Sequence, residues 1–459
     1  MITSSPLNEP IPPGRGHRRA IFLAAMLHAA AATPSAAAAR TVAEKAAGHQ
    51  SDRQAVVEAI VRIIQTEFAY PDKRQRVIAR LKQGLAAGRY DTDDHSFAAR
   101  VTEDLLSASG DKHLYLVYDP AKQVALSNSP LPAEDAITAS TGILAERFKR
   151  ENQGLIEQKI LPGNVRYLNI TAFDWTIDVT GAVYDDALRF LRGGDAIVID
   201  LRENAGGVPD AVRYLLSYFV APRELLATFY RGATATEFRA LDRVPGGQIV
   251  GKPLYVLTSD TTASAAEEFA YYVFNHHIGE VVGEKTAGAG NIKDDFPVAP
   301  GFVLSASVAR SVDPFTRGNW EGVGITPNVA TPASSALAAA HVRALERISQ
   351  SATGPIKLEL ALDLRLARAR WHLPKISSDD LARYAGIYGD RRVWVAQNVM
   401  HWQRGDQPEL LMEPLGADWF LLGDSGNQAH FQIAGGHAIA LTISRRDGDS
   451  PTIVRTGPE

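Results

Sequence analysis

Ser264 stands where a strand runs into a helix. The stretch from Leu254 to Phe269 reads as an apolar strand, a hydroxyl-rich turn (Thr258-Ser-Asp-Thr-Thr-Ala-Ser264) and a helix opening near Ser264. A serine at a helix N-terminus lies beside free N–H groups and the positive end of the dipole, and both favour developing negative charge. That suits a nucleophile, with the N–H of Ala265 as one arm of an oxyanion hole. Ser264-Ala-Ala-Glu267 is also a capping box, and taken singly the serine reads as a cap.

Two further segments place glycines at strand ends, where α/β sheets hold their sites. Ala196-Ile-Val-Ile-Asp-Leu-Arg-Glu-Asn-Ala-Gly-Gly207 runs a buried strand into a polar turn, before a helix opening at Pro209. Paired glycines let N–H groups point into a cavity without a side chain in the way. Alone, the segment reads as a tight strand-to-helix turn. Gly283-Glu-Lys-Thr-Ala-Gly-Ala-Gly290 follows a short strand and lacks phosphate-loop spacing, which argues against nucleotide binding. His276-His277 lies at a helix end, where cationic side chains complement the dipole. No His-Glu-x-x-His pattern and no acidic cluster suggests a metal, and no cofactor is expected.

The elements that must position these turns alternate. Strand-like runs at 164–170, 196–201, 254–258, 281–282 and 303–308 are interleaved with helical runs at 181–191, 209–219 and 264–274. This predicts an α/β sheet with parallel pairs. Upstream, helical spacing over 55–68, 74–87 and 96–107 predicts a small helical domain, assigned to 50–125. A strand over 112–118, a loop over 121–140 and a short helix over 141–153 follow. The catalytic domain is assigned to 126–335 and a helical connector to 336–375. Short alternating runs with turns such as Gly435-Gly436 predict a small antiparallel β domain over 376–459.

The chain has 459 residues, 45% hydrophobic and 22% charged, which fits a globular protein of two or three domains. The net charge of −4 is interspersed and the body carries no basic block, so no nucleic-acid partner is expected. With no cysteine there is no disulfide, thiolate zinc site or cysteine nucleophile. Near the N-terminus, Arg15-Gly-His-Arg-Arg19 precedes a mostly apolar run over 20–32 and the small residues Ala36 to Ala39. Basic, apolar and small segments in that order predict a signal peptide over 1–39, cleaved near Ala38. The apolar run is too short to span a bilayer. Arg18-Arg19 resembles a twin-arginine signal. The mature protein is therefore expected in the periplasm or secreted, with no stable membrane span.

Three motifs in this order resemble the serine peptidase family that includes the C-terminal-processing proteases, the tricorn core and interphotoreceptor retinoid-binding protein. Asp200-Leu-Arg-Glu-Asn-Ala-Gly-Gly207 resembles the family's Asp-Leu-Arg-x-Asn-x-Gly-Gly. Thr262-Ala-Ser-Ala-Ala-Glu267 resembles its nucleophile turn, and Asn319-Trp-Glu-Gly-Val-Gly-Ile-Thr-Pro-Asn328 its closing Glu-Gly-x-Gly-x-x-Pro-Asp. The likeness covers roughly residues 51–335. It implies a crotonase-like core of ββα units within the α/β class. The processing branch carries a serine–lysine dyad, but Ala289 stands at the lysine position and Lys285 is out of register. The other branch resembles the tricorn core, with serine, histidine and glutamate. Gly110-Asp-Lys-His-Leu-Tyr115 resembles its histidine segment, giving His113, and the glutamate is Glu321. Lys112 stands where the tricorn core has a further catalytic serine, and Asn328 replaces an aspartate taken to be structural.

A serine hydroxyl needs a base, and a histidine accepts a proton near neutral pH. Ser264 is thus expected as nucleophile, His113 as general base, and Glu321 as the acid orienting the serine or the histidine. Gly206 and Ala265 supply the oxyanion N–H groups. The expected activity is hydrolysis of peptide or protein substrates through an acyl-enzyme. An esterase on small substrates shares that machinery, and a catalytically inactive binding protein for an apolar ligand or peptide is the alternative from another class.

Overall fold

The computed structural model describes residues 53–128, 143–176, 178–298 and 301–458. The signal-peptide segment lies outside the described residues. No helix among the described residues is long and apolar enough to cross a membrane.

The chain opens with α1 (53–66), α2 (Pro71–Ala86), α3 (Asp94–Ser109), β1 (Tyr115–Tyr118), α4 (Pro120–Asn128) and α5 (Ile143–Arg150). There follow β2 (Leu155–Leu161), β3 (Val165–Ile170), α6 (Thr180–Arg192), β4 (Ala196–Asp200), α7 (Pro209–Leu216), β5 (Leu225–Arg231) and β6 (Thr234–Arg239). Next come β7 (Leu254–Thr258), α8 (Ala265–Asn275), β8 (Glu280–Gly283), β9 (Asn291–Val298), β10 (Phe302–Val312) and β11 (Val329–Ala330). Helices α9 (Ala336–Ser349) and α10 (Gly354–Trp371) divide the predicted 336–375 connector in two. Helix α4 forms where a loop was expected. Asp119 Oδ1 accepts the Lys122 N–H at 2.9 Å, and Pro120 presets the first helical φ, so a capping signal outweighs the polar sequence.

A six-stranded sheet in the order β11-β8-β7-β4-β3-β2 is parallel from β11 to β3, and β2 joins antiparallel. Every residue of β4 and β7 is buried, as central parallel strands covered on both faces require. Ile197, Ile199 and Val256 pack under α6, α7 and α8. Alternate residues Val198, Tyr255 and Leu257 pack under α9 and α10. The turns after β4 and β7 therefore emerge together at one edge of a rigid layer.

A five-stranded antiparallel sheet holds β1, β10, β5 and β6, with β9 also on β10. Helices α1 to α3 share one core with this sheet: Val56, Ile60, Phe97 and Leu105 pack with Leu116, Phe302 and Leu304. The turn after α3 is thereby fixed against strands from the catalytic half of the sequence.

Beyond α11 (Ser378–Ala382) come β12 (Gly386–Tyr388), β13 (Arg391–Ala396), β14 (Val399–Arg404), β15 (Leu410–Gly416), β16 (Trp419–Leu422), β17 (Gln428–Ala434), β18 (His437–Arg445), β19 (Gly448–Asp449) and β20 (Ile453–Gly457). All pair antiparallel. Strand β17 pairs with both β16 and β18, and β20 joins β18 to β12, so the sheet closes on itself. Tyr384, Tyr388, Phe420, Phe431 and Met412 fill its interior. Closure leaves no long free edge for another chain to pair with.

Candidate active site

Ser264 joins β7 to α8 with φ 56° and ψ −122°, a backbone conformation an L-residue rarely holds. Strain of this kind costs on the order of 1–3 kcal/mol and persists only where the surroundings over-determine it. Here they do. Thr262 Oγ1 donates to Leu201 O at 2.8 Å and Ala263 N–H to Asn204 O at 3.1 Å, which ties the turn to the exit of β4. The Glu267 carboxylate accepts the Ser264 N–H at 2.9 Å. That contact is one arm of the capping box that Ser264 and Glu267 form at the start of α8.

The glycine turn after β4 lies against this serine. A Cβ on Gly206, where φ is +106°, would lie 2.7 Å from Ser264 Cβ and 3.0 Å from Ala265 N. Only glycine allows that approach. The Gly206 N–H, expected to face an oxyanion, instead donates to Asn204 Oδ1 at 2.8 Å. A short Asx turn takes up the Gly206 donor in this arrangement. The N–H groups of Ala265 and of the next glycine, Gly207, have no hydrogen-bond partner among the described residues. The rest of the motif is scaffold. Asp200 accepts from Arg202 Nη2 at 2.6 Å and from the Tyr167 hydroxyl at 2.7 Å, and Asn204 Nδ2 donates to Ile170 O at 3.0 Å.

His113 follows α3 by a turn that Gly110 starts in the left-handed region. Asp111 Oδ1 accepts the His113 N–H at 2.8 Å. The ring is buried, with Nδ1 3.8 Å from Glu321 Oε2 and no hydrogen bond of its own. Glu321 is held by backbone donors: Gly290 N at 2.6 Å and Asn291 N at 3.1 Å on Oε2, and Lys112 N at 3.3 Å on Oε1. Asp111 is fully buried, and its Oδ2 has no partner. Burial, then the negative charge of Glu321, push the Asp111 carboxyl above its ordinary range. Asp111, His113 and Glu321 offer donor atoms within 4.8 Å of one another, a grouping that could hold a metal ion.

The structure thus brings His113 to Glu321, and Gly206 to Ser264 and Ala265. Both halves meet on the glycine-rich loop. Glu267 accepts the N–H groups of Gly288 at 2.7 Å and Ala289 at 2.8 Å, and Thr286 Oγ1 at 2.5 Å. No direct hydrogen bond joins Ser264 to His113. In the sequence Glu267 reads as half of a capping box and the last letter of the nucleophile-turn motif, and Asp111 as a letter in the histidine motif. The signal for each was a buried acid one or two residues from a candidate, and its weight shows only once the loop is folded over it.

Ala289 is buried, its carbonyl accepting the Trp320 Nε1–H at 3.1 Å, so the dyad-lysine position sits inside the site's frame. Lys285 is exposed. Lys112 Nζ donates to Ala287 O, which spends that ammonium on the loop. His276 ends α8, the far end from Ser264. It stacks on Tyr272 at 3.8 Å and pairs with Asp313 at 2.8 Å. Asn328 Oδ1 accepts the Val281 N–H at 2.7 Å, a strand-joining role.

Residues 164–331 match the profile of peptidase family S41, and residues 36–151 that of the N-terminal domain of this peptidase in eukaryotic IRBP. The first span holds Ser264 and Glu321, the second His113. The chain is 31% identical over 123 residues to a carboxyl-terminal-processing protease of Synechocystis sp., covering 27% of this chain and 28% of that protein. A carboxy-terminal-processing protease of Bartonella bacilliformis is 27% identical over 173 residues, 36% of this chain and 38% of that protein. The chain spans about a third of the length of these curated relatives. Among solved structures, the photosystem II D1 C-terminal processing protease is similar with a TM-score of 0.41 at 16% identity, over 62% of this chain and 94% of that one. The carboxyl-terminal-processing proteases of this family are serine peptidases, and the chain described here belongs to peptidase family S41.

Proposed function

We propose that the chain is an exported serine peptidase acting through Ser264, His113 and Glu321. The observation that carries this is His113 Nδ1 facing a Glu321 carboxylate that three backbone N–H groups hold in place. In that arrangement His113 Nε2 takes the Ser264 hydroxyl proton as Oγ attacks the peptide carbonyl, and Glu321 stabilises the imidazolium from the other side. The free N–H groups of Ala265 and Gly207 receive the oxyanion. His113 then returns the proton to the leaving amine, and water hydrolyses the acyl-enzyme by the same base. The ββα pattern of the core supports a crotonase-like fold, and the basic, apolar and small order of 15–39 supports export. With this goes the division of the chain near 125, 335 and 375, which limited proteolysis tests. The central experiment is labelling with a fluorophosphonate probe, with peptide mapping of the adduct and a peptide-library digest. Label on Ser264 and cleavage of peptides is the expected result. A folded protein that neither labels nor cleaves would move the binding-protein alternative ahead.

A further inference from the structure

We infer that Asp111, His113 and Glu321 form a site for a divalent first-row cation, zinc foremost, and that filling it switches off the histidine base. The second half rests on the role proposed above for His113; the first does not.

Two of the three residues keep a ligand atom without a hydrogen bond, and Glu321 holds its carboxylate beside them on backbone donors. Asp111 Oδ2 and His113 Nδ1 are buried without a hydrogen-bond partner. A buried polar atom without a partner is costly, so each of these two is a standing demand for one. One ligand atom from each of Asp111, His113 and Glu321 lies within 4.8 Å of the others, close enough for small side-chain shifts to close on one ion. One imidazole nitrogen and two carboxylate oxygens make a three-ligand zinc set, with a fourth position open to water. Calcium asks for six to eight oxygens, which this cluster does not supply. The outer contacts a metal ligand needs are already made. Asp111 Oδ1 accepts the His113 N–H at 2.8 Å, and backbone donors fix Glu321. A dication also neutralises two carboxylates that otherwise repel in a dry setting.

The consequence for His113 is one of tautomers. A neutral imidazole carries one proton. A cation on Nδ1 forces that proton onto Nε2, the nitrogen the proposed mechanism gives to Ser264. The lone pair that would take the hydroxyl proton is then gone. Zinc is thus an inhibitor held by the same acid that assists the base.

The test is calorimetric titration of the full chain with zinc chloride after chelator treatment, alongside fluorophosphonate labelling rates with and without zinc. Expected are about one zinc per chain at this site and equal binding by Ser264→Ala. Asp111→Asn and Glu321→Gln should each weaken binding at least about tenfold. Wild-type labelling should slow with zinc and recover with EDTA. Asp111→Asn should lose most of that zinc sensitivity, measured against its own zinc-free rate, with folding checked by circular dichroism. Zinc bound equally by wild type and both variants, or not bound at all, overturns the site even if labelling is normal. Zinc bound here with no change in labelling overturns the inhibitory half. Absence of labelling without zinc counts against the peptidase proposal, while the titration still decides the metal site.

Discussion

Glu267 and Glu321 divide four consecutive backbone N–H groups between them. Glu267 takes those of Gly288 and Ala289, and Glu321 those of Gly290 and Asn291. One carboxylate belongs to the helix that begins at Ser264; the other faces His113. The loop between them therefore fixes the distance from the serine half of the site to the histidine half.

Glu267 should accordingly matter more than a cap. Burial pushes its carboxyl up, while Thr286, Ala289, Gly288 and Ser264 hydrogen bonds pull it down. Glu267→Gln turns an acceptor-only group into one that presents two N–H donors to other donors. A loss of about 2–4 kcal/mol in stability is expected, with labelling of Ser264 falling at least tenfold in the protein that remains folded. Urea unfolding and probe kinetics on the same samples check both. Full labelling with an unchanged unfolding midpoint would remove Glu267 from the frame.

The next residue predicts a pH effect of opposite origin. The Glu268 carboxyl is buried, and burial together with the charge of Asp210 raises its pKa to about 8. An unfolded glutamate titrates near 4.3. Between those values the folded state holds a proton that the unfolded state has lost, so stability falls as pH rises through that window. The penalty is absent below about pH 4 and complete above about pH 8, and amounts to a few kcal/mol. Glu268→Gln should remove it. Unfolding at pH 5 and pH 9 should show the variant gaining on wild type at the higher pH by about 2 kcal/mol or more. An equal difference at both pH values would show that Glu268 reaches water or a partner.

Much of this site was legible in the sequence, and what was not has physical reasons. The β7–Ser264–α8 unit reads from an apolar run, a hydroxyl turn and helical spacing, all local signals. The β5–β6 hairpin escaped because β6 is polar and largely exposed, so it carries no alternation against a core. The barrel's closure escaped because β17–β18 and β12–β20 pairing leaves no mark within either strand. The helices of α1 to α3 were read as a domain, yet their core is completed by Phe302 and Leu304, some 200 residues on in the sequence. Gly206 lies beside the serine, but which N–H of the glycine pair stays free depends on Asn204 Oδ1, which the sequence pattern does not show.

Strain at Ser264 gives a stability test independent of activity. Its φ of 56° with ψ of −122° suits glycine, and glycine and alanine both lack the hydroxyl, so any capping loss is common to the two variants. Ser264→Gly should therefore be more stable than Ser264→Ala by about 1 kcal/mol, and neither should label. Chemical unfolding of the pair decides. If alanine proved the more stable, the strained conformation would not be the one the chain holds in solution.

The two catalytic designs of the family separate on two side chains. His113 is buried with Nδ1 towards Glu321, whereas Lys285 is exposed ahead of Thr286. Removing a triad member from a serine hydrolase costs a thousandfold or more in turnover. His113→Ala should fall by that order at saturating substrate, while Lys285→Ala should stay within about twofold. Glu321→Gln keeps the shape of the group but removes the charge that would stabilise an imidazolium. It should lower turnover with little change in KM, because the interaction it removes exists only in the transition state. Glu321 also holds three backbone donors, so circular dichroism and the unfolding midpoint must accompany the rates. A fall in turnover with an unmoved midpoint assigns the loss to chemistry. If Lys285→Ala abolished turnover while His113→Ala kept it, a displaced lysine would be the base, and the burial of His113 beside Glu321 would be a packing arrangement without a catalytic role.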